Sequence, residues 1–320
     1  MRALMSLATI TALLAPAARL SAQAIGSTHL LIITGVSGEP RIGTQWHGMA
    51  MALQAAASQR FAIPAANVIV LAEDSTRDAP RVTGRSTKAT IERVLGTLAR
   101  SLTAADRLLV IVIAHGSSLS GEARVNLPGP DMTPSDFARL LGPATQPTIA
   151  FVQTGSASGE FATALAGPRR IVITATKSAR EQNETIFPGP FVRALTTDAG
   201  DADKDGRVSL LEAFTYAQHE VEQVFSQGNL LATEHALLRD GAEGGRARSF
   251  QLATSASASG GAQSAIAQVA LAAVQARIDV LRASRASWSE DAYLEALEPL
   301  MVELAQRMRA LRASSGVVKP

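Results

Sequence analysis

The chain contains no cysteine among its 320 residues. This absence excludes disulfide bonds, zinc sites built from thiolates, iron–sulfur clusters and catalysis by a protein thiol. Aromatic residues are also scarce, at 4% of the chain, so leucine, valine, isoleucine and alanine must form the core. With 320 residues, of which 47% are hydrophobic, the chain is long enough and apolar enough for one large domain with a sizeable core.

The N-terminus has the pattern of an export signal. Arg2 is followed by an apolar stretch from Ala3 to Ala17 and then by Ala22-Gln23-Ala24, which has the small-x-small form of a cleavage site. This pattern predicts a cleaved signal peptide over residues 1–24 and an exported protein, periplasmic or secreted. A buried helix and a membrane anchor are the alternatives.

The charge of the mature chain does not favour a nucleic-acid partner. Removal of residues 1–24 deletes two arginines and no acid, which leaves equal numbers of basic and acidic residues. The sequence has no basic stripe with interleaved aromatic residues, so we expect no nucleic-acid binding. No other apolar stretch is long enough to cross a bilayer, so we expect no membrane span after signal cleavage.

Apolar runs alternate with helical periodicities up to about residue 250. The predicted strands are residues 28–34, 67–71, 107–114, 148–153 and 170–174. The predicted helices between them are residues 45–60, 87–102, 133–141 and 158–165. Strands that alternate with helices at this interval favour an α/β fold with a mostly parallel central sheet and helices on both faces.

The composition changes after residue 250. Residues 251–264 are rich in serine, alanine and glycine, which is typical of a linker. Residues 265–313 have helical periodicity with alternating charges and predict a C-terminal helical extension in the form of a hairpin. The hairpin packs on itself or on the main domain in one interpretation, and mediates self-association in the other.

Two glycine-containing loops follow the third and fourth predicted strands. The first is Ala114-His115-Gly116-Ser117-Ser118, and the second runs from Gln153 to Gly159. Because the working residues of open parallel sheets gather at the carboxyl ends of the strands, we expect these loops to lie together. His115 is the best candidate for a general base, and Gly116 would let a backbone N–H approach a substrate oxyanion closely. A packed structural histidine is the alternative.

This arrangement resembles the caspase–legumain superfamily of cysteine peptidases, and it is most similar to the legumain side. In that family an apolar strand ends in His-Gly, and a later strand ends in Cys-x-Ser-Gly. Leu108–Gly116 matches the first part and Ser156–Gly159 matches the second. The resemblance covers residues 28–240 and implies a caspase-like three-layer sandwich.

The resemblance also implies substrate-binding residues. Thr174, Ala175 and Thr176 resemble the legumain stretch that lines the primary specificity pocket. Arg41 is a further candidate, as a charge in that pocket.

Ser156 stands where the family's nucleophilic cysteine belongs. A serine hydroxyl ionises far more weakly than a thiol and needs a well-oriented base, which a buried carboxylate holds in the Ser/His/Asp arrangement. No such carboxylate can be assigned from the sequence. We therefore expect a catalytically inactive homologue whose cleft binds a peptide or protein.

Two other functions remain open on the sequence. One is a hydrolase that uses Ser156 as nucleophile with His115 as base. The other is a calcium-stabilised scaffold whose C-terminal helices bind partners.

Residues 201–212 fit the pattern D-x-D-x-D-G-x₅-E of an EF-hand calcium loop. The pattern supplies carboxylates, a backbone carbonyl, a position that binds through water and a bidentate glutamate. In that order, the predicted metal ligands are Asp201, Asp203, Asp205, Arg207, Ser209 and Glu212. We predict one structural calcium site and no organic cofactor; a metal-free acidic loop that caps the next helix is the alternative.

Overall fold

The computed structural model describes residues 26–119, 121–142, 147–241 and 245–253, followed by residues 270–271, 273–275, 277–278, 280–282 and 284–314. The predicted signal peptide (1–24) lies outside the described residues, and so do residues 254–264 of the predicted linker. No helix among the described residues is long and apolar enough to cross a membrane.

The elements of the described residues run as follows. The strands are β1 (Thr28–Thr34), β2 (Val68–Ala72), β3 (Gly84–Arg85), β4 (Arg107–Ile113), β5 (Gly116–Leu119), β6 (Glu122–Val125), β7 (Thr148–Gln153), β8 (Arg170–Thr174), β9 (Arg207–Ser209), β10 (Leu237–Arg239) and β11 (Gln251–Ala253). The helices are α1 (Pro40–Gln59), α2 (Lys88–Ser101), α3 (Pro134–Leu141), α4 (Gly159–Ala164), α5 (Pro188–Thr196), α6 (Leu210–Gln227) and α7 (Arg246–Ser249), followed by the C-terminal helix α8 (Glu290–Ser314).

Seven strands form the central sheet, in the order β10-β8-β7-β4-β1-β2-β3. All neighbours pair in parallel except β10, which is antiparallel to β8. The chain builds the sheet outward from β1 in both directions, through β2 on one side and β4 on the other. Such a reversal opens a crevice at the carboxyl ends of the strands. The predicted α/β fold with a mostly parallel sheet is confirmed.

Apolar side chains on both faces of the strands bury the sheet between two layers of helices. In β4, Leu109, Ile111 and Ile113 belong to the core under α1, α5 and α6. Their neighbours Leu108, Val110 and Val112 belong to the opposite core, under α2, α3 and α4. Consecutive strand residues point to opposite faces, so a strand covered on both sides is apolar throughout.

Three parts of the fold differ from the sequence-based expectation. Helix α1 starts at Pro40 rather than residue 45, with proline in the first turn, where its missing N–H breaks no helical hydrogen bond. Strands β5 and β6 form a hairpin directly after His115. Residues 251–253, expected to begin the linker, form β11 and pair with β9, so the α/β domain extends beyond residue 250.

The described C-terminal residues are largely helical and have a small core of their own. Val274, Ile278 and Leu281 pack with Leu300 of α8. Tyr293, Ala296, Leu297 and Leu304 of the same helix pack against this cluster.

Candidate functional site

A cleft of about 490 Å³ opens at the carboxyl ends of β4 and β7. Ala114 and His115 contribute from the end of β4, and Thr154 contributes from the end of β7. The remaining lining comes from the first half of α1, from the segment before α5 and from the start of α5: Arg41, Gln45, Trp46, Glu184, Thr185, Ile186, Pro188, Gly189 and Pro190. The topology thus brings residues separated by more than a hundred positions into one concave surface.

His115 lies in this cleft and is held by two contacts. Its Nε2 lies 3.2 Å from the carbonyl oxygen of Ser37, in the segment between β1 and α1. The ring of Trp46 packs edge-on against the imidazole, with ring centroids 4.7 Å apart. Because a carbonyl only accepts, Nε2 must be the donor, and the neutral ring keeps its lone pair on Nδ1.

The orienting group of His115 is therefore a backbone carbonyl and not a carboxylate. The carboxylate of Glu73 acts one step further away, because its Oε2 accepts hydrogen bonds from Ser37 N at 3.1 Å and from Ser37 Oγ at 2.8 Å. Ser37 is 8% exposed, so both bonds are largely shielded from water. Glu73 thus fixes Ser37 by hydrogen bonds, and the carbonyl of Ser37 in turn orients His115.

Ser156 is engaged with the backbone rather than with the imidazole. Its Oγ donates to the carbonyl oxygen of Gly116 at 2.8 Å and accepts from the N–H of Gly116 at 3.2 Å. The residue is 3% exposed and is not part of the cleft lining. In the described part of the chain, His115 and Ser156 make no hydrogen bond to each other.

Gly116 serves a different purpose from the one expected. Its N–H, which we expected to face a substrate oxyanion, donates to Ser156 Oγ. A Cβ on Gly116 would lie 2.0 Å from the carbonyl oxygen of Ser156. The glycine is thus required by the close approach of two loops.

The remaining predicted binding residues divide into two groups. Arg41 is exposed at the rim of the cleft, with no hydrogen bond or ion pair to any described residue. Thr174, Ala175 and Thr176 are at most 1% exposed and do not line the cleft. The hydroxyl of Thr176 instead accepts from Ser158 N at 2.7 Å, which fixes the turn before α4. The three residues are thus buried outside the cleft lining, and their contact with substrate stays a prediction.

The wall of the cleft at residues 184–190 is held by a buried carboxylate that no sequence motif indicated. Glu234 accepts from Ile186 N at 2.7 Å and from Phe187 N at 2.9 Å, just before α5 begins. It is 6% exposed, and burial raises its pKa to about 7. Glu181 adds to this rise in pKa by repulsion.

The acidic loop at residues 201–212 brings its three aspartates together. One carboxylate oxygen from each of Asp201, Asp203 and Asp205 lies within 4.8 Å of the others. Burial raises the pKa of all three, to about 7 for Asp205, and repulsion from Glu212 adds to the effect, as does repulsion from the other aspartates for Asp203 and Asp205. Hard carboxylate oxygens around a common centre fit Ca²⁺ chemically.

The second half of the loop also caps a helix. Ser209 and Glu212 form a capping box at the start of α6, in which Ser209 Oγ accepts from Glu212 N and Glu212 Oε2 accepts from Ser209 N. Glu212 Oε1 reaches back to Ala202 N at 3.2 Å, which brings this carboxylate to the start of the loop. Arg207 begins β9, whose pairing with β11 braces the loop.

Comparison with known proteins finds similarity to solved structures, among them two at 12% and 13% sequence identity. No family model matches the chain, and no curated protein matches it. Protein GSU0716 from Geobacter sulfurreducens is 12% identical with a TM-score of 0.43, over 69% of this chain and 96% of that one. Raptor from Chaetomium thermophilum is 13% identical with a TM-score of 0.35, over 56% of this chain and 18% of that one.

Proposed function

We propose that this chain is an exported caspase/legumain-like protein whose cleft binds a peptide or a segment of a protein without hydrolysing it. One observation carries the proposal. Ser156, at the position of the family's nucleophile, donates a hydrogen bond from its hydroxyl to the carbonyl oxygen of Gly116. The chain has no cysteine that could serve as the nucleophile instead.

The chemistry of the cleft supports binding over hydrolysis. General-base activation of a serine needs a hydrogen bond from its hydroxyl to the imidazole and a group that stabilises the imidazolium. Ser156 donates to a backbone carbonyl instead, and His115 is oriented by the neutral carbonyl of Ser37. The N–H of Gly116 already donates to Ser156 Oγ, so this donor is not free for an oxyanion.

The cleft keeps the features of a binding site. Its volume of about 490 Å³ lies within the range of pockets that hold small ligands or short peptide segments. Trp46 and Ile186 offer apolar surface, while Arg41 and Glu184 place opposite charges at the rim. Neither charged side chain has an ion-pair partner among the described residues, so both remain available to a ligand.

A peptide library screened for both binding and cleavage tests this proposal. We expect the mature wild-type chain to retain a subset of peptides intact. Arg41→Ala should weaken retention at least tenfold, because the variant removes a charge that faces the ligand. Arg93→Ala is the matched control, since Arg93 is also exposed but lies on α2 outside the cleft. Cleavage by the wild type that disappears in Ser156→Ala would show that the protein is a serine hydrolase instead.

We further propose that the loop at residues 201–212 binds one Ca²⁺ ion as a structural pin. The grouped carboxylates of Asp201, Asp203 and Asp205 support this proposal, and Glu212 is held at the start of the same loop. The ion would neutralise carboxylates that otherwise repel one another, and so would stabilise the junction of α5, α6 and β11.

A thermal unfolding series in EDTA, Mg²⁺ and Ca²⁺ tests the metal proposal. Ca²⁺ at about 5 mM, above the Kd range of extracellular modules, should raise the Tm of the wild type, and the same concentration of Mg²⁺ should raise it less. Asp203→Asn should lose the Ca²⁺-dependent part, and its Tm in EDTA should be at least that of the wild type because one of the mutually repelling charges is removed. An unchanged wild-type Tm in Ca²⁺ would rule the site out.

A further inference from the structure

Glu234 lies between the cleft and a second, smaller cavity. On one side its carboxylate accepts hydrogen bonds from the N–H groups of Ile186 and Phe187, in the wall of the cleft. On the other side it lines a cavity of about 100 Å³ between α6 and the segment that leads to β10. Glu234 is not part of the cleft lining, so a change in its side chain acts on the cleft wall from behind.

The start of α5 depends on these two hydrogen bonds for its place in the wall. Among the described residues, Glu234 is the acceptor for both N–H groups. The first and third residues of α5 are Pro188 and Pro190, which have no N–H to donate. One further hydrogen bond, from Thr185 Oγ to the carbonyl oxygen of Thr154 at 2.7 Å, ties the wall to the floor of the cleft. Glu234 therefore fixes the backbone at the position where Ile186 faces the cleft.

Both hydrogen bonds require the ionised form of the carboxyl group, because each oxygen accepts from a different amide. Oε2 lies 2.7 Å from Ile186 N, and Oε1 lies 2.9 Å from Phe187 N. A proton on either oxygen converts it into a hydroxyl, which is a donor and a weaker acceptor. The protonated side chain can thus hold one of the two amides well and releases the other.

The groups around Glu234 bring this change close to neutral pH. Glu234 is 6% exposed, and burial raises its pKa to about 7, with repulsion from Glu181 adding to the rise. The carboxylate of Glu181 is itself held by His235, whose Nδ1 lies 2.5 Å away, and by Lys177 Nζ at 3.7 Å. From α6, Glu222 lines the same small cavity. No cation of the described chain forms an ion pair with Glu234.

We propose that Glu234 is a positioning residue of the cleft, whose ionised carboxylate holds the wall at residues 184–190 for ligand binding and whose protonation releases one amide of that wall. Ligand affinity should rise as Glu234 ionises, because a larger fraction of the chains then has the wall in place. The free energy of unfolding should fall over the same pH range, because the charge is buried. The effect on affinity rests on the function proposed for the cleft, whereas the change in the wall requires no ligand.

Amide hydrogen exchange of the ligand-free mature chain, from about pH 5.5 to about pH 8.5, tests the state of the wall. The protection factors of Ile186 and Phe187 correct for the pH dependence of intrinsic exchange, and their product should rise about fivefold as Glu234 ionises. Glu234→Gln is neutral at every pH and should show no such rise. His235→Gln and Glu222→Gln are the controls, and both should keep the rise because Glu234 is intact.

The affinity for one peptide retained in the library screen, measured over the same pH range, tests the consequence for binding. His115 and Glu184 also line the cleft and are ionisable, so the effect of Glu234 is the ratio of the wild-type affinity to that of Glu234→Gln. We expect this ratio to rise about fivefold between the ends of the range. If the wild type retains no peptide, the proposed function fails, and the exchange profile still supports or overturns the change in the wall.

Three results would overturn the proposal. The first is a constant protection of Ile186 and Phe187 in the wild type across the whole range. The second is a protection that falls as pH rises, which would mean that the charged carboxylate opens the wall to water. The third is loss of the rise in His235→Gln with retention in Glu234→Gln, which would assign the proton to His235. The wild-type profile decides the first two even if Glu234→Gln fails to fold.

Discussion

Ser156 and Gly116 are joined by two hydrogen bonds through one hydroxyl, and the carbonyl oxygen of Ser156 lies where a side chain on Gly116 would have to be. The pair connects the loops after β4 and β7, which carry the candidate site residues predicted from the sequence. The serine hydroxyl thus links the two loops by hydrogen bonds. This use of Ser156 leads to two predictions about stability.

Gly116→Ala should destabilise the protein by more than about 3 kcal/mol, because its Cβ would overlap a backbone atom that no side-chain rotation can move. The overlap distance is 2.0 Å, to the carbonyl oxygen of Ser156. Gly48→Ala is the control, since Gly48 lies within α1 with no atom within 4 Å of an added Cβ. It should stabilise the protein by about 0.5–1 kcal/mol. Equal effects of the two variants in urea unfolding would contradict the close approach.

Ser156→Ala should lower the free energy of unfolding by about 1–3 kcal/mol, because it leaves a buried N–H and a buried carbonyl of Gly116 without partners. Ser58→Ala removes a hydroxyl that bonds only within its own exposed helical turn, and should change stability by less than about 0.5 kcal/mol. Denaturant unfolding of both variants measures the difference. An unchanged free energy of unfolding in Ser156→Ala would mean that the two hydrogen bonds of Ser156 with Gly116 do not contribute to stability.

Glu234 should give the protein a pH-dependent stability. Its pKa is raised from 4.5 to about 7 by burial, so between these values the folded chain keeps a proton that the unfolded chain releases. The free energy of unfolding should therefore fall as pH rises through this window, by up to about 3 kcal/mol relative to Glu234→Gln. Unfolding curves from pH 4 to pH 8 measure this difference.

The control for the Glu234 prediction is Glu222→Gln, an exposed carboxylate on the neighbouring face of α6. Its stability should run parallel to that of the wild type across the whole pH range. A constant difference between wild type and Glu234→Gln would show that Glu234 has an ordinary pKa in the folded chain.

Glu73→Ala should disturb His115 although the two side chains do not touch. The variant leaves the N–H and hydroxyl of Ser37 unpaired, at a cost of about 1–3 kcal/mol. Because the Ser37 carbonyl then loses its anchor, the NMR signals of the His115 imidazole should change. Glu73→Gln, which keeps an acceptor oxygen, should have a smaller effect. Unchanged His115 signals in Glu73→Ala would show that Ser37 is held by its own backbone.

The main elements of the fold follow from local patterns, and the exceptions have physical causes. Strand β1 was predicted at its observed bounds, because a strand buried on both faces is apolar at nearly every position. The β5–β6 hairpin was missed because Gly116–Leu119 has no apolar alternation, and its pairing with residues 122–125 stabilises it. The capping box of Ser209 and Glu212 is also a local pattern, but the sequence analysis had interpreted both residues as metal ligands.

For the candidate site, the sequence determined which residues lie at the carboxyl ends of the strands, because strand ends and glycine turns are encoded within a few residues. His115 was found in this way, whereas Arg41 was a candidate only as a possible charge in the specificity pocket. Only the tertiary structure decided what the side chains do there. Ser156 meets Gly116 across 40 positions, and Glu234 meets Ile186 across 48. Such partners depend on how strands and helices pack, and no periodicity or motif along the chain carries that information.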